Sequence, residues 1–415
     1  MGSIATSAPF DVLRDTKPED TTLPAFMVST TRGFLPRQEP IVSLPSEFAA
    51  LESILSRMPI KTLDGTPGLL ATFTLGETVL KELPDLTSAV NKYKDNLPLQ
   101  NALYRDYSFL ASAYLLEPCH ERFLKGEGYG LGRQTLPAVI SLPISRCAEL
   151  AGFKPFMEYA GSYALFNYRL DDPKLGLAYD NLRLIRAFEH GLDPKSSEAG
   201  FVLVHVDMVQ NSGPLVHGVV STLDACESND RHAFNIGLEQ VVSSMTKVNK
   251  VMDGMWGKSK PGDYVSFRTF IFGITSQSMF PHGVVYEGHV RSRSSLLSFR
   301  SYALQDPTSA ALYLLALNQV RDFRWRHWCF TREYILKKTS HPVATGGSPI
   351  VTWLPNQLQA VLHAMVEVWE GSGKTLGRGC EEVMDFAIQQ KETLTKEVDK
   401  YCQERNVDAS TGRVQ

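Results

Sequence analysis

His327 is the residue whose surroundings first suggest chemistry, in the stretch "RDFRWRHWCFTREYI" (321–335). Wound as a helix at about 100° per residue, the chain puts Ala316, Val320, Phe323 and Tyr334 within roughly 40° of it. Leu312, Phe330 and Arg324 border that apolar stripe. Asp322, Trp325, Arg326, Cys329, Arg332 and Glu333 point largely the other way. An imidazole set alone in an apolar stripe has two readings. It is a core histidine satisfied by a hydrogen bond, or it is an axial ligand to haem. Haem is a large, flat, apolar disc with two carboxylates, so it needs one imidazole on an apolar face and a cation at the edge. Arg324, one turn earlier, has that position and chemistry. A phosphate-tracking helix would gather its arginines on one face. Arg321, Arg326 and Arg332 instead spread around a side expected to be solvated, interleaved with Asp322 and Glu333, which excludes nucleic acid as the partner.

Composition supports that exclusion. The 415 residues carry a formal net charge of −3, with 43% hydrophobic and 21% charged residues. These are the proportions of an ordinary globular protein, long enough for two or three domains. The six cysteines (Cys119, Cys147, Cys226, Cys329, Cys380 and Cys402) form no C-x-x-C pair. Scattered cysteines of this kind read as reduced thiols of an intracellular chain, without zinc-site spacing. The opening "MGSIATSAPFDVLRDTKPEDTTLP" lacks a secretory pattern, and no apolar run spans a bilayer. The expected location is the cytoplasm, with no membrane partner, and the expected assembly is a monomer.

The elements that must position His327 are helices. "PSEFAALESILSRM" begins at a candidate N-cap, Ser46. "NALYRDYSFLASAYLLEP" (101–118) reads as an amphipathic helix ended by Pro118. The Gly-rich "KGEGYGLGRQTLP" (125–137) follows no strand and reads as a connection. "LPISRCAELAGF" (142–153) ends at a candidate C-cap glycine, and "MEYAGSYALFNYRLDDP" (157–173) stops at Pro173. "GFVLVHVDMVQNSGPLVHGVV" (200–220) fits a strand or a buried helix equally. Helical spacing returns at 236–256, at 307–338 as one long helix with Pro307 near its start, at 352–371 and at 380–404. No strand–helix alternation appears, so the expected fold class is all-α.

Several stretches together resemble one family. "FRWRHWCFTREYI" followed by "ATGGSP" (344–349) is similar to the haem-ligand segment and C-terminal Gly-rich loop of indoleamine 2,3-dioxygenases. "STTRGFLP" (29–36) is similar to the opening segment of fungal members, and "EYAGSYALFNYRLDDP" (158–173) to a Y-A-x-x-x-x-x-N-W segment. "GFVLVHVDM" (200–208) resembles the family's distal helix, and "VYEG" (285–288) stands after "SFRTFIFG" (266–273) in the family order. The matches are collinear over roughly 29–370. The resemblance implies a loose tail (1–28), a small helical domain (29–125) and a large helical haem domain (126–415). It implies haem b, O2 and an indole as partners. Both oxygen atoms would be added across the indole C2–C3 bond of L-tryptophan or a tryptophan-derived indole, giving an N-formylkynurenine-type product. Carried over by position, His327 is the proximal iron ligand and Arg324 a propionate partner. Arg268 meets the substrate carboxylate, for which a guanidinium fork is suited. Thr345, with Gly346 and Gly347 after it, touches the amino-acid head group and the cofactor side. Phe201 and Tyr264 line the distal pocket, and Tyr159 and Ser162 lie deep in it. His205 stands at the distal position, able to bond the indole N–H or bound O2.

The chain also departs from that pattern. Asp263 and Tyr264 replace two aromatic residues, so that an acid either enters the pocket or faces solvent. "HVRSRSSLLSFRSYALQDP" (289–307) replaces a small-residue loop, and an R-x-Y-M-P-x-x-H-R segment before the proximal helix is missing. A wider pocket for a larger, modified indole is expected from that shortening. The alternatives are another haem-dependent oxidation of such an indole, as in fungal secondary metabolism, or a non-catalytic haem-binding protein.

Overall fold

The computed structural model describes residues 12–408 apart from 21, 25, 192, 275–276, 287–305, 340, 342 and 345–347. In chain order its helices are α1 (Ala49–Arg57), α2 (Leu69–Thr72), α3 (Leu75–Glu82), α4 (Thr87–Lys92), α5 (Leu97–Leu124), α6 (Ala138–Ala151) and α7 (Ser197–Val209). There follow α8 (Ser212–Glu227), α9 (Arg231–Asp253), α10 (Met255–Lys258), α11 (Tyr264–Arg268), α12 (Pro307–Phe330), α13 (Ile350–Gly371) and α14 (Arg378–Arg405). Two π-helical turns, Tyr159–Ala164 and Thr331–Leu336, complete the helical part. The mostly helical architecture is the one expected. Two small ribbons have no counterpart in the sequence pattern: β1 (Thr135–Leu136) parallel to β4 (Val285–Tyr286), and β2 (Tyr168–Leu170) antiparallel to β3 (Leu182–Leu184).

Short polar side chains set the main helix starts. Asn96, Ser196, Asp230 and Asp306 each accept the backbone N–H three residues on, at 3.1, 3.1, 3.0 and 2.8 Å. Each bond satisfies a donor that a first turn leaves open. Gly152 ends α6 in the left-handed region at φ 79°, as its position implied. Two local expectations fail. Pro45, not Ser46, caps the first turn, and no side-chain cap bond forms there. Residues 157–173 hold a π turn and β2 rather than a helix, and Pro173 opens a short 3-10 turn. Residues 200–220, which fitted strand and helix equally, are helical, in α7 and α8.

The largest difference is α5, which runs through Pro118 to Leu124. A proline offers no N–H to the carbonyl four residues back and normally breaks the helix there. Here the Arg133 guanidinium donates to that carbonyl, on Tyr114, and the Arg133 backbone N–H donates to Leu115 O at 2.9 Å. Arg133 also pairs with the buried Glu117 at 2.6 Å. The freed acceptor is satisfied from outside the helix, so the helix continues.

One cluster of buried side chains runs from Leu35 to Val407. Within it, α12 packs on α9, α13 and α14. The polar side of α12 is not a solvated face. Arg321 is 3% exposed and donates to Gln390 Oε1 on α14 at 2.5 Å. The fully buried Trp328 donates through its indole N–H to Glu397 Oε2 at 2.6 Å, and Arg332 pairs with the same carboxylate. A helical wheel reports the polarity of a side, and α14 supplies matching acceptors for it.

A second polar device ties α1, α5 and the segment after β3 together. Asp106 on α5 is fully buried. It accepts from Arg105 Nε at 2.7 Å and from Arg186 Nε and Nη2 at 2.9 and 2.7 Å. Arg186 also reaches Glu52 at 2.8 Å, and Arg105 Nη1 donates to Ile41 O at 2.9 Å. Two arginines and two acids thus balance across three segments. Among the described residues, no helix is long and apolar enough to cross a membrane.

Candidate active site

A cavity of about 2020 Å³ opens among α7, α11, the end of α12 and α13. Pockets for drug-sized ligands measure roughly 300–1,000 Å³, so there is room for a large cofactor and a second molecule together. Both π turns contribute to its walls: Tyr159 from the first, and Thr331, Tyr334 and Ile335 from the second. Such wide turns are frequent at functional sites because they re-aim side chains that an α-helix would hold in register.

One wall is aromatic. Phe201 and His205, one turn apart on α7, sit 5.0 Å apart ring to ring, with Tyr159 5.9 Å from His205. Tyr264 lies 5.1 Å from Phe201 and 5.6 Å edge-on from Tyr334, linking this wall to the next. His205 Nδ1 is 2.7 Å from the Phe201 carbonyl. A carbonyl can only accept, so Nδ1 carries the proton and Nε2 keeps its lone pair. Burial holds the His205 pKa below its ordinary value, against the pull of that carbonyl.

Two contacts fix α7. Glu198, in its first turn, accepts the backbone N–H groups of Phe188 and Glu189 at 2.8 and 2.7 Å and the Tyr163 hydroxyl at 3.1 Å. Gly200 lets the helix lie against the chain at Lys258, where an added Cβ would stand 1.8 Å from the Lys258 carbonyl oxygen. Gly200→Ala is therefore expected to shift α7 and to cost about 1–3 kcal/mol. An unchanged urea midpoint would show that the two segments part without cost.

The second wall carries His327, with Phe330, Thr331 and Tyr334. His327 is half-buried and faces the cavity; no described residue hydrogen-bonds to either ring nitrogen. Burial first, then the Arg324 charge and His205, push its pKa down to about 4. The ring is therefore neutral near pH 7, with a lone pair to give. Arg324 is half-buried and makes no hydrogen bond or ion pair with a described residue; burial lowers its pKa. An unpartnered guanidinium in that setting calls for an anion. No cluster of three or more His, Cys, Asp and Glu side chains gathers among the described residues. An iron held here by one imidazole must bring its own remaining donors, as a porphyrin does, and the cavity's size and apolar lining fit such a group.

Of the residues singled out in the sequence, the cavity brings together Tyr159, Phe201, His205, Tyr264 and His327. It does not bring in Ser162, whose hydroxyl donates to the Glu158 carbonyl at 2.9 Å inside its own turn. Nor does it bring in Arg268, which is fully buried away from the lining. Thr345, Gly346 and Gly347 lie outside the described residues; their neighbours Ala344 and Ser348 line the cavity and are joined by a 2.8 Å backbone bond. Asp263 is exposed and accepts the Ser197 hydroxyl at 2.8 Å, so it keeps out of the pocket. Sequence reasoning missed Trp353 and Leu354, although with Ile350 they form an i, i+3, i+4 face of α13. It also missed Met252 and Met255, around the junction of α9 and α10, which no local pattern marks.

A family model for indoleamine 2,3-dioxygenase matches residues 22–303, well over half of the chain. The chain belongs to that family. It is 24% identical to indoleamine 2,3-dioxygenase 1 of Mus musculus over 60% of this chain and 55% of the relative. It is 25% identical to indoleamine 2,3-dioxygenase nanC of Aspergillus nanangensis over 63% of this chain and 58% of the relative. Against indoleamine 2,3-dioxygenase acdA of Aspergillus candidus the identity is 24%, over 65% and 62%. The matches thus span little more than half the length of these relatives. The family match ends before α12 and so does not reach His327.

Proposed function

We propose that the protein is a haem-dependent dioxygenase that adds both atoms of O2 across the C2–C3 bond of an indole, either L-tryptophan or a compound derived from it. The observation that carries this reading is His327: an imidazole that hydrogen-bonds to no described residue and faces a cavity large enough for a porphyrin and a substrate. His327 would hold the iron of haem b and Arg324 would meet a propionate. When bound, the haem supplies the iron at which O2 is activated.

The chain's own residues do the rest. Phe201, Tyr159 and Tyr264 form the apolar box that an indole ring fills, and they exclude water from the reacting face. The His205 Nε2 lone pair, fixed by the Nδ1–H bond to Phe201 O, accepts a hydrogen bond from the indole N–H and orients the ring. Because burial disfavours the His205 cation, this acceptor persists through neutral pH.

The test is direct. Purified protein supplied with haem is expected to show a Soret band. Mixed with indoles without oxygen and then exposed to O2, it should give a ring-opened product heavier by two oxygen atoms. A gain of one oxygen would point to a monooxygenase. Haem binding without turnover of any indole would point to a carrier or sensor.

A further inference from the structure

Three separate elements carry the apolar box. The first π turn carries Tyr159, α7 carries Phe201 and His205, and α11 carries Tyr264. Behind the box, all three are tied to two carboxyl groups. Glu198 and Glu189 form a reciprocal pair, each accepting the other's backbone N–H: Glu198 Oε2 from Glu189 at 2.7 Å, and Glu189 Oε2 from Glu198 at 3.2 Å. The Glu198 carboxyl also takes the Tyr163 hydroxyl, at 3.1 Å, and so holds the π turn against the start of α7. Tyr163 in turn lies 5.5 Å from Tyr159, ring to ring. The Ser266 hydroxyl lies 2.7 Å from Glu189 Oε1 and from the Asp263 carbonyl alike. A carboxylate is the stronger acceptor of the two, so the pair reaches α11 as well, two residues beyond Tyr264. Neither carboxyl lines the cavity.

Both groups are buried, Glu198 at 0% exposed and Glu189 at 8%. Burial, and after it the Glu189 charge, outweigh the hydrogen bonds from Glu189, Phe188 and Tyr163 and push the Glu198 carboxyl up to about 8. Burial pushes Glu189 up too, against the Ser266 and Glu198 hydrogen bonds; His190 favours its charge and Asp263 opposes it. Arg186, two residues before Phe188, is engaged with Asp106 and Glu52. Near neutral pH the pair therefore keeps one proton, on Glu198, and one charge, on Glu189. Two charges there would repel across the 188–189 turn and the start of α7, the segments that the pair joins.

We propose that Glu198 and Glu189 are positioning residues that hold the indole box together through one shared proton, and that loss of this proton on the alkaline side loosens the box and weakens indole binding. This role rests on the indole site proposed above and deepens it: affinity depends on a pair of groups that lie behind the cavity wall. The same pair bears on stability. Because the Glu198 carboxyl is raised above its ordinary 4.5, its contribution is fully present below about pH 4.5 and is lost as pH rises through about 8.

Indole itself, which has no group that titrates near neutral pH, is the probe. It is titrated into the haem-loaded protein, reduced and kept without oxygen so that no turnover occurs. Binding is read by calorimetry and by the shift of the Soret band. Between about pH 7 and about pH 9 the wild-type affinity is expected to fall about tenfold, the loss of competent protein that one proton leaving near pH 8 produces. Glu198→Gln and Glu189→Gln each leave the pair with at most one charge, so neither should show the fall. Tyr163→Phe keeps the pair and removes a hydrogen bond that favours the Glu198 anion, so its fall should move to higher pH. A wild-type affinity that stays flat, a fall that either Gln variant retains, or an unshifted fall in Tyr163→Phe overturns the proposal. If a Gln variant does not fold, Tyr163→Phe and the wild type decide. The urea midpoint gives the same comparison without haem: between about pH 5 and 8 the wild type should lose stability relative to Glu198→Gln. Haem-loaded protein that binds no indole at either pH overturns the role in binding. Failure to load haem removes the functional reading first, and the urea comparison then decides the shared proton.

Discussion

Replacing His327 by alanine is expected to abolish haem loading. The protein supplied with haem should show no Soret band, with affinity falling by more than the roughly 10–100-fold that loss of an outer-shell partner costs at a metal site. The fold should survive. His327 hydrogen-bonds to no described residue and faces a cavity, so its removal leaves no orphaned polar group. Stability should change by no more than about 0.5 kcal/mol, and the far-ultraviolet helical signal should be unaltered. His205→Ala is the matched control: it removes the other cavity imidazole, should keep the Soret band and should weaken indole binding. A normal band in the His327 variant would move the iron elsewhere, and a band lost only from His205→Ala would exchange the two roles.

Asp106→Asn is expected to be the most damaging single change to stability. The substitution keeps the shape and removes the charge that Arg105 and Arg186 share. Two buried guanidinium groups would then face Glu52 alone, which is half-exposed. Breaking a buried ionic cluster in this way costs about 3–5 kcal/mol, to be read from urea unfolding. Asp171→Asn, which removes an exposed partner of Arg183, should cost less than about 1 kcal/mol. The pH dependence gives a second readout. Burial pushes the Asp106 carboxyl up, but the charges and hydrogen bonds of Arg105 and Arg186 prevail and hold it below the usual 3.8. The group's contribution is thus fully present above about pH 4 and is lost as pH falls through its folded value. The wild type should show that acid loss, and the variant should lack it. Equal unfolding midpoints for Asp106→Asn and Asp171→Asn would contradict the ionic account. Because Arg186 precedes the Phe188 and Glu189 amides that hold Glu198, the damage should also reach α7 and His205.

Periodicity makes α9, α12, α13 and α14 legible, and the apolar stripe on α12 singles out His327 from sequence alone. What periodicity does not carry is the identity of distant partners. Pro118 looks like a helix end until Arg133 is known to cover the Tyr114 carbonyl. The arginines of α12 look solvated until Gln390 and Glu397 are placed against them. At the site, residues one turn apart on a helix, such as Phe201 and His205, enter the cavity together. Ser162 and Arg268 stay out of the cavity lining for a different reason. Each has a competing acceptor close by, the Glu158 carbonyl for one and the Val343 carbonyl for the other, and no one-dimensional pattern encodes that competition. The Gly-rich stretch that reads as a plain connection also delivers Tyr129 to Arg268, a role its composition does not hint at.

The clamp of α14 on α12 has a consequence in time. Trp328 and its acceptor Glu397 are 69 residues apart in the chain. At ribosomal rates of about 5–20 residues per second, roughly 3–14 s separate their synthesis. Through that interval the nascent segment bearing His327 has an indole, Trp328, and two arginines, Arg321 and Arg332, without their final partners. The part of the cavity wall that α14 braces is therefore completed only after α14 has docked, and the haem proposed for His327 would be captured after that step.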